Sequence, residues 1–451
     1  MDIGAGAGSR RPPRMGTRLL ALGLLALSGA IAALAIASEL VARLLQLAIA
    51  ISMVYVAYLG WRGGRVMRRA LLGAGRDLDI ITDLDPPRVS VVIAARDEAG
   101  VIGDVVDDLL AQRYHAGDEL RFDILVVDDG SSDGTGTIAR DRAARNQEVI
   151  RVVRRERGTG AATKGAVLAF AHDHLRGDVI VAVDADARVG PDFLARAMAA
   201  WRRDPAAEAI QVQRRALNRG RSWLTAAQDE EQLMDMASQC GRWATDGTAE
   251  LRGNGMIVRR DALEAAGGWS TTALTEDLDL STRLGIIGAH VTLAPEVEVR
   301  EEAVERLGDL WRQRMRWAEG SLRRLMELGP RLVGGRLPVT RKLDFVSFAA
   351  EFFVPPLFVA AVVASLVTIA LPVAADWTVP ASLFVGYGLG TFLLAAAGLA
   401  AHGVRGTALL ARSIRGSLFL SHWLLIVPAA LLRIAFGTPT RGFAKTPRMD
   451  R

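Results

Sequence analysis

Five apolar runs, at residues 19–38, 44–61, 353–373, 379–401 and 417–436, bracket a long polar stretch that contains none. In hydrocarbon every backbone N–H and C=O must be satisfied within the segment, so runs near twenty residues fold as helices that cross or lie in a bilayer. The chain of 451 residues is half hydrophobic, with mean hydropathy +0.21, and membrane helices account for that excess where further soluble domains would not. Arg10, Arg11, Arg14 and Arg18 precede the first run, and Arg62, Arg65, Arg68, Arg69 and Arg76 follow the second. The positive-inside rule then makes residues 1–75 an uncleaved hairpin with both ends in the cytoplasm. The runs 353–373 and 379–401, joined near Asp376 and followed by Arg405, Arg412 and Arg415, read as a second outward hairpin. Cations flank 417–436 on both sides, so a re-entrant or interfacial helix is expected there in preference to a crossing. The chain is thus expected to be multi-pass in the plasma membrane, with its central domain cytoplasmic.

The net charge of +5 and pI near 9.8 suit anionic headgroups or phosphorylated ligands; in so apolar a chain the membrane surface leads, and no nucleic-acid partner is expected. Cys240 is the single cysteine, which excludes an internal disulfide. Six scattered histidines form no zinc set, since His172 and His174 point to opposite sides of a helix.

Within the polar stretch, VIVAVDADARV at 179–189 is a buried parallel-type strand running into Asp184 and Asp186. Two carboxylates spaced i, i+2 at a strand's carboxyl end can converge on a hard divalent cation, Mg2+ or Mn2+; a solvated acidic turn is the other reading. RVSVVIAARDE ends its strand at Arg96, Asp97 and Glu98, and FDILVVDDGSSDGT ends at Asp128 and Asp129 before a Gly/Ser turn. Strand, polar end and helix in repetition describe a doubly wound nucleotide-binding sheet. The chain has no GxGxxG and no Walker loop, so screening of a bound diphosphate falls to a metal.

VSVVIAARDE, LVVDDGSSDGT, VDADARVGPDFL, RGNGMIVRRDALEAAGGW, LTEDLDLSTRL and QRMRW follow one another in the order that resembles the membrane-embedded inverting family-2 glycosyltransferases. That branch includes cellulose, hyaluronan and poly-N-acetylglucosamine synthases and the monoglucosyldiacylglycerol synthases. The run from Leu251 to Glu319 and RKLDF at 341–345 resemble the last group most in detail. The resemblance implies an α/β GT-A nucleotide-sugar-binding domain, a doubly wound, Rossmann-like mixed sheet inserted between transmembrane and interfacial helices. Its expected bounds are 88–330, with interfacial helices near 223–243 and 307–326, a membrane region at 340–436 and a cytoplasmic tail at 437–451.

By the same resemblance Asp128 and Asp129 lie against the uridine of a UDP-sugar, and Ala94, Arg96, Glu98 and Lys164 belong to the donor site. Asp184 and Asp186 hold the metal, Asp186 being the nearer ligand. Asp277, beside Glu276 in LTEDLDL, is the general base for the acceptor hydroxyl; capping of its own helix is the structural alternative for these acids. Gln313, Arg316 and Trp317 share one helix face, where an arginine can clamp a diphosphate and an indole can stack on a sugar. Thr159 aligns with the family's lysine and Lys164 with its asparagine; Ala94 replaces a proline and Asp97 an asparagine. FAKTPR at 443–448 resembles a cytoplasmic gating element, which would bring Arg448 to the diphosphate. The expected reaction is metal-dependent, inverting transfer of a hexose, glucose first, from a UDP-sugar to a membrane lipid such as diacylglycerol. A processive polysaccharide synthase with a growing polymer as acceptor is the alternative within the class, and an inactive sugar-nucleotide sensor the alternative outside it.

Overall fold

The computed structural model describes residues 13–74, 86–369 and 377–437. Expectations that rest on Arg10, Arg11, Arg76 and Asp376, and on the tail with Phe443, Thr446 and Arg448, lie outside the described residues.

Among the described residues ten strands form in the polar stretch: β1 (Val89–Ala95), β2 (His115–Ala116), β3 (Glu119–Leu120), β4 (Phe122–Asp128), β5 (Ile150–Arg154), β6 (Val179–Asp184), β7 (Arg188–Val189), β8 (Ala209–Ala216), β9 (Met256–Arg259) and β10 (Val291–Glu301). Eight of them make one sheet in the order β5-β4-β1-β6-β9-β8-β10-β7, while β2 and β3 pair separately. β5, β4, β1 and β6 are mutually parallel, which is the nucleotide-binding half of a doubly wound sheet. β9 runs antiparallel to both neighbours, and β7 antiparallel to β10, so the sheet is mixed. The register puts Ala95 opposite Asp128 and Ala94 opposite Asp184, so three strands end level at the point where strand order reverses.

Every residue of β4 is buried, as expected of a strand covered on both faces. One face packs on the helices Ile102–Leu110 and Phe193–Arg202 through Val105, Leu109, Leu194 and Met198. The other packs on Lys164–His172 and Glu276–Ile287 through Val167, Leu168, Leu280 and Leu284.

Among the described residues, five helical stretches are long and apolar enough to cross a membrane: Met15–Ala37, Glu39–Gly73, Val339–Ile369, Thr378–Ala401 and Gly406–Phe436. The second runs well beyond the apolar residues that end at Trp61, because its arginine-rich continuation docks on the helix Trp223–Trp243. Glycines set that docking. A Cβ at Gly63 would stand 1.9 Å from the Ala237 carbonyl oxygen, one at Gly241 2.3 Å from that of Leu59, and one at Gly398 2.5 Å from that of Leu233. Trp223–Trp243 is therefore held against two apolar helices on one side and β8 on another, and buries Asp229, Glu230 and Glu231. Each buried acid has a cation: Asp229 pairs with Arg215 at 2.8 Å, Glu230 with Arg412 at 2.9 Å and Arg415, and Glu231 with Arg314. The last apolar stretch breaks at Ser421–His422 into Gly406–Leu420 and Trp423–Phe436. Arg433 in its second half lies 3.5 Å from Glu319 of the helix Leu307–Val333.

Candidate active site

One cavity of about 970 Å³ opens at the level strand ends. Ala94 near the end of β1 with Arg96 and Glu98 beyond it, Asp129 after β4, and Asp184 at the end of β6 with Asp186 beyond it line its inner end. Lys164, Glu276 and Asp277 form its middle, and Gln313, Arg316 and Trp317 of Leu307–Val333 its far wall. Phe348, Tyr387, Leu420 and Val427 continue it between the apolar helices.

Lys164 joins two motifs that the sequence keeps far apart. Its Nζ lies 2.5 Å from Asp184 Oδ1 and 3.5 Å from Glu276 Oε1. The reach depends on Gly165, where a Cβ would stand 2.1 Å from the Ser270 carbonyl oxygen and 3.1 Å from the Glu276 Cβ, so no larger residue lets this helix approach. Thr163 caps the helix by accepting from the Ala166 N–H at 3.1 Å. Burial pulls the Lys164 pKa down, but Asp184 and then Glu276 outweigh it and hold the ammonium above its usual range. Thr159 sits on an exposed turn, its hydroxyl donating to the Glu156 carbonyl. Of the two positions, Lys164 lines the cavity and Thr159 does not.

Asp277 lies in the first turn of Glu276–Ile287, beside the RGNG turn at 252–255. Gly253, at φ +85, brings its backbone so close that a Cβ would meet Asp277 Oδ2 at 3.3 Å. The Ser281 hydroxyl donates to the Asp277 carbonyl at 2.8 Å and accepts from the Leu251 N–H at 2.8 Å, which fixes the turn against the helix. Burial raises the pKa of both Asp277 and Glu276, in Asp277 against the Leu278 N–H and the Lys164 charge. The N-cap position is Thr275, which makes no side-chain cap, while the Asp277 carboxylate accepts from the Leu278 N–H in the first turn.

A hydrogen-bond relay absent from the sequence reading links Asp184 to Trp317. The Asp184 N–H donates to Asn254 Oδ1 at 3.1 Å, Asn254 Nδ2 donates to Glu301 at 2.9 Å, and Arg214 pairs with Glu301 at 2.7 Å. Arg214 and Arg314 then hold Trp317, their guanidinium carbons 5.6 and 4.0 Å from its ring centroid. Asn254 was visible only as the N of RGNG, and nothing in the sequence brings Arg214 to a tryptophan a hundred residues on.

Asp128 departs from expectation. It is fully buried and does not line the cavity; its carboxylate accepts from Arg154 at 2.8 Å and from the Ser131 N–H at 2.9 Å, bracing the turn after β4. Asp129 does reach the cavity, with Arg155 at 2.7 Å and Arg96 at 3.5 Å. Asp97 has φ +53, a left-handed conformation that Asp and Asn share, and its carboxylate accepts from the Ser132 N–H. Arg448 lies outside the described residues.

The carboxylates of Asp184 and Asp186 are hard oxygen donors suited to a hard divalent cation, and one Asp184 oxygen is already engaged by Lys164. Among the described residues no three His, Cys, Asp or Glu side chains converge as a metal set, so the two aspartates leave ligand positions for other oxygens.

Residues 86–320 match the family described as glycosyltransferase like family 2. A β-monoglucosyldiacylglycerol synthase from Synechocystis sp. is 34% identical over 366 residues, 80% of this chain and 74% of that protein. One from Trichormus variabilis is 32% identical over 271 residues, 60% of this chain and 56% of that protein. A mannosyltransferase from Pyrobaculum calidifontis, solved in complex with GDP-Man and Mn2+, shares the fold with TM-score 0.53 and 22% identity, over 86% of this chain and 99% of that one. The level strand ends and the cavity they open thus belong to a GT-A domain, and the chain is a member of glycosyltransferase family 2.

Proposed function

We propose that this glycosyltransferase moves a hexose, glucose first among candidates, from a UDP-sugar to the free hydroxyl of a diacylglycerol-type membrane lipid with inversion at the anomeric carbon. The observation that carries the reading is the continuity of the cavity, which leads from Asp184 and Asp186 past Asp277 to walls made by apolar helices. A soluble acceptor has no use for that second half. The relatives named as β-monoglucosyldiacylglycerol synthases support a lipid acceptor.

In this account the uridine lies at the Ala94, Arg96 and Asp129 end, and the diphosphate between Asp186 and Lys164. Asp186 and Asp184 would hold a Mg2+ or Mn2+ ion, which when bound supplies Lewis-acid neutralisation of the leaving diphosphate. The acceptor hydroxyl attacks the anomeric carbon opposite UDP. Its proton passes to Asp277, the new C–O bond forms, and the bond to the diphosphate oxygen breaks. Glu276, engaged by Lys164, leaves that proton to its neighbour. Trp317 presents its face to the sugar, with Gln313 and Arg316 beside it on the same helix.

The same account places the catalytic domain in the cytoplasm. Support for 406–436 as a helix pair that does not cross comes from its cations, Arg412 and Arg415 before the break and Arg433 after it, which all meet acids on helices flanking the cavity. Purified protein in diacylglycerol-containing micelles, offered UDP-glucose, UDP-galactose and UDP-N-acetylglucosamine with and without EDTA, tests the reading by chromatography of the lipids. A metal-restored glycolipid is expected. Full activity in EDTA, or no lipid product from any donor, contradicts it.

A further inference from the structure

Two arginines stand side by side on β8, and strand alternation sends them to opposite faces. Arg215 does not line the cavity; it pairs with Asp229 at 2.8 Å and Glu298 at 3.3 Å. Arg214 lines the cavity, and its guanidinium serves three partners at once. Nη1 donates to the Arg252 carbonyl at 2.8 Å, Nε and Nη2 donate to Glu301 Oε1 at 3.2 and 2.7 Å, and the guanidinium carbon stands 5.6 Å from the Trp317 ring centroid. Each partner leads to a different part of the site. Arg252 opens the turn whose next residue, Gly253, abuts Asp277; Glu301 also accepts from Asn254, which takes the Asp184 N–H; Trp317 belongs to the far wall. Burial raises the Asp277 pKa, and Lys164, Arg252 and Arg214 are the cations that oppose the rise.

Packing alone does not call for this arrangement. Arg214 and Arg314 set two like charges beside one indole, each with its own acid, Glu301 and Glu231, where well-packed apolar residues would serve stability as well. A guanidinium offers what those cannot, donors fixed in one plane that hold several partners at set angles. We infer that Arg214 is a positioning residue, acting through the Arg252 carbonyl, Glu301 and the indole to keep the general base Asp277, the Asp184 strand end and the sugar-facing Trp317 in register. The inference rests on the roles proposed above for Asp277 and Trp317. It gives the relay from Asp184 to Trp317 a task, since a base and a sugar wall carried on different elements catalyse only while they share one geometry.

The test is steady-state kinetics of full-length protein in micelles, with UDP-glucose as donor, diacylglycerol as acceptor and UDP as inhibitor. Arg214→Lys keeps a cation beside Glu301, and with it the charge near Asp277, but cannot reach all three partners. Its kcat should fall by about tenfold or more, the scale of a small misplacement of reacting groups, while the inhibition constant for UDP stays within about twofold of wild type. Trp317→Leu should also lower kcat. Because both losses pass through one contact, the double variant should lose less than the product of the single losses. Glu301→Gln, equal in size, loosens the same guanidinium and repeats the split should the lysine variant fail to fold. Wild-type kcat in Arg214→Lys, or single losses that multiply, overturns the inference and leaves the transferase standing. A raised UDP constant in a variant that unfolds at the wild-type temperature makes Arg214 a donor ligand and overturns it too. Wild-type protein that glycosylates no lipid overturns both the inference and the reading beneath it.

Discussion

Replacing Lys164 by Met removes the one cation that ties the Asp184 end of the cavity to its middle. At 3.5 Å from Glu276 and 2.5 Å from Asp184, a buried ammonium interacts with the two carboxylates by about 5 and about 7 kcal/mol at the effective dielectric typical of protein sites. Much of that is repaid when a carboxylate left alone takes a proton, so a net loss of about 3 kcal/mol in stability is expected, at the low end for breaking a buried pair. The catalytic consequence is separate. Asp277 must be ionised to accept the acceptor's proton, and burial already holds its pKa above the usual carboxylate range against the pull of Lys164. Transfer therefore falls as pH drops through that raised pKa, and without the Lys164 charge that lowers it the acid limb should move further upward. Profiles of kcat/KM against pH for wild type, Lys164→Met and Lys164→Arg, with urea unfolding of each, make the measurement. An acid limb and stability unchanged in Lys164→Met would refute the reasoning, and recovery of both in Lys164→Arg would locate the effect in the charge.

Asp277→Asn should lower turnover by about a hundredfold or more with UDP affinity close to wild type, the size expected for a lost general base; loss of UDP affinity with turnover intact would move Asp277 to the donor site. Asp186→Asn should abolish metal-restored transfer and leave thermal unfolding near wild type; retained activity would remove Asp186 from the metal site. Asp128→Asn should cost about 1–3 kcal/mol of stability through Arg154 and the turn after β4, with the donor KM little changed, whereas a donor KM shift without destabilisation would return Asp128 to the nucleotide. Gly63→Val forces a side chain into the Ala237 carbonyl, so it should unseat the catalytic domain from its membrane helices and sharpen proteolysis near 223–243; wild-type resistance would contradict that packing.

The sequence announces strand ends well because they are local. Val179 to Val183 must be buried and Asp184 follows them, and the same logic found Asp129 after β4. It fails where a side chain's partner arrives from another element. Asp128 and Asp129 are indistinguishable as letters, and only Arg154 beside β4 separates a brace from a cavity wall. Trp317 was legible as a stacking surface, but the Arg214 and Arg314 that grip it were not, since one sits on β8 and the other on the buried side of the same helix. Trp223–Trp243 reads as an interfacial amphipathic helix. In the structure it is a buried joint, because arginines from three distant segments neutralise Asp229, Glu230 and Glu231.

The most direct test of the account is the anomeric configuration and length of the sugar on the lipid made by purified protein from UDP-glucose and diacylglycerol in a bilayer, read by proton NMR coupling and mass spectrometry. Inverting transfer of an α-linked donor past Asp277 to a lipid held between the apolar helices predicts a single β-linked hexose on the glycerol hydroxyl. An α-linked glycolipid, or a polymer released to water with no glycolipid formed, would contradict it.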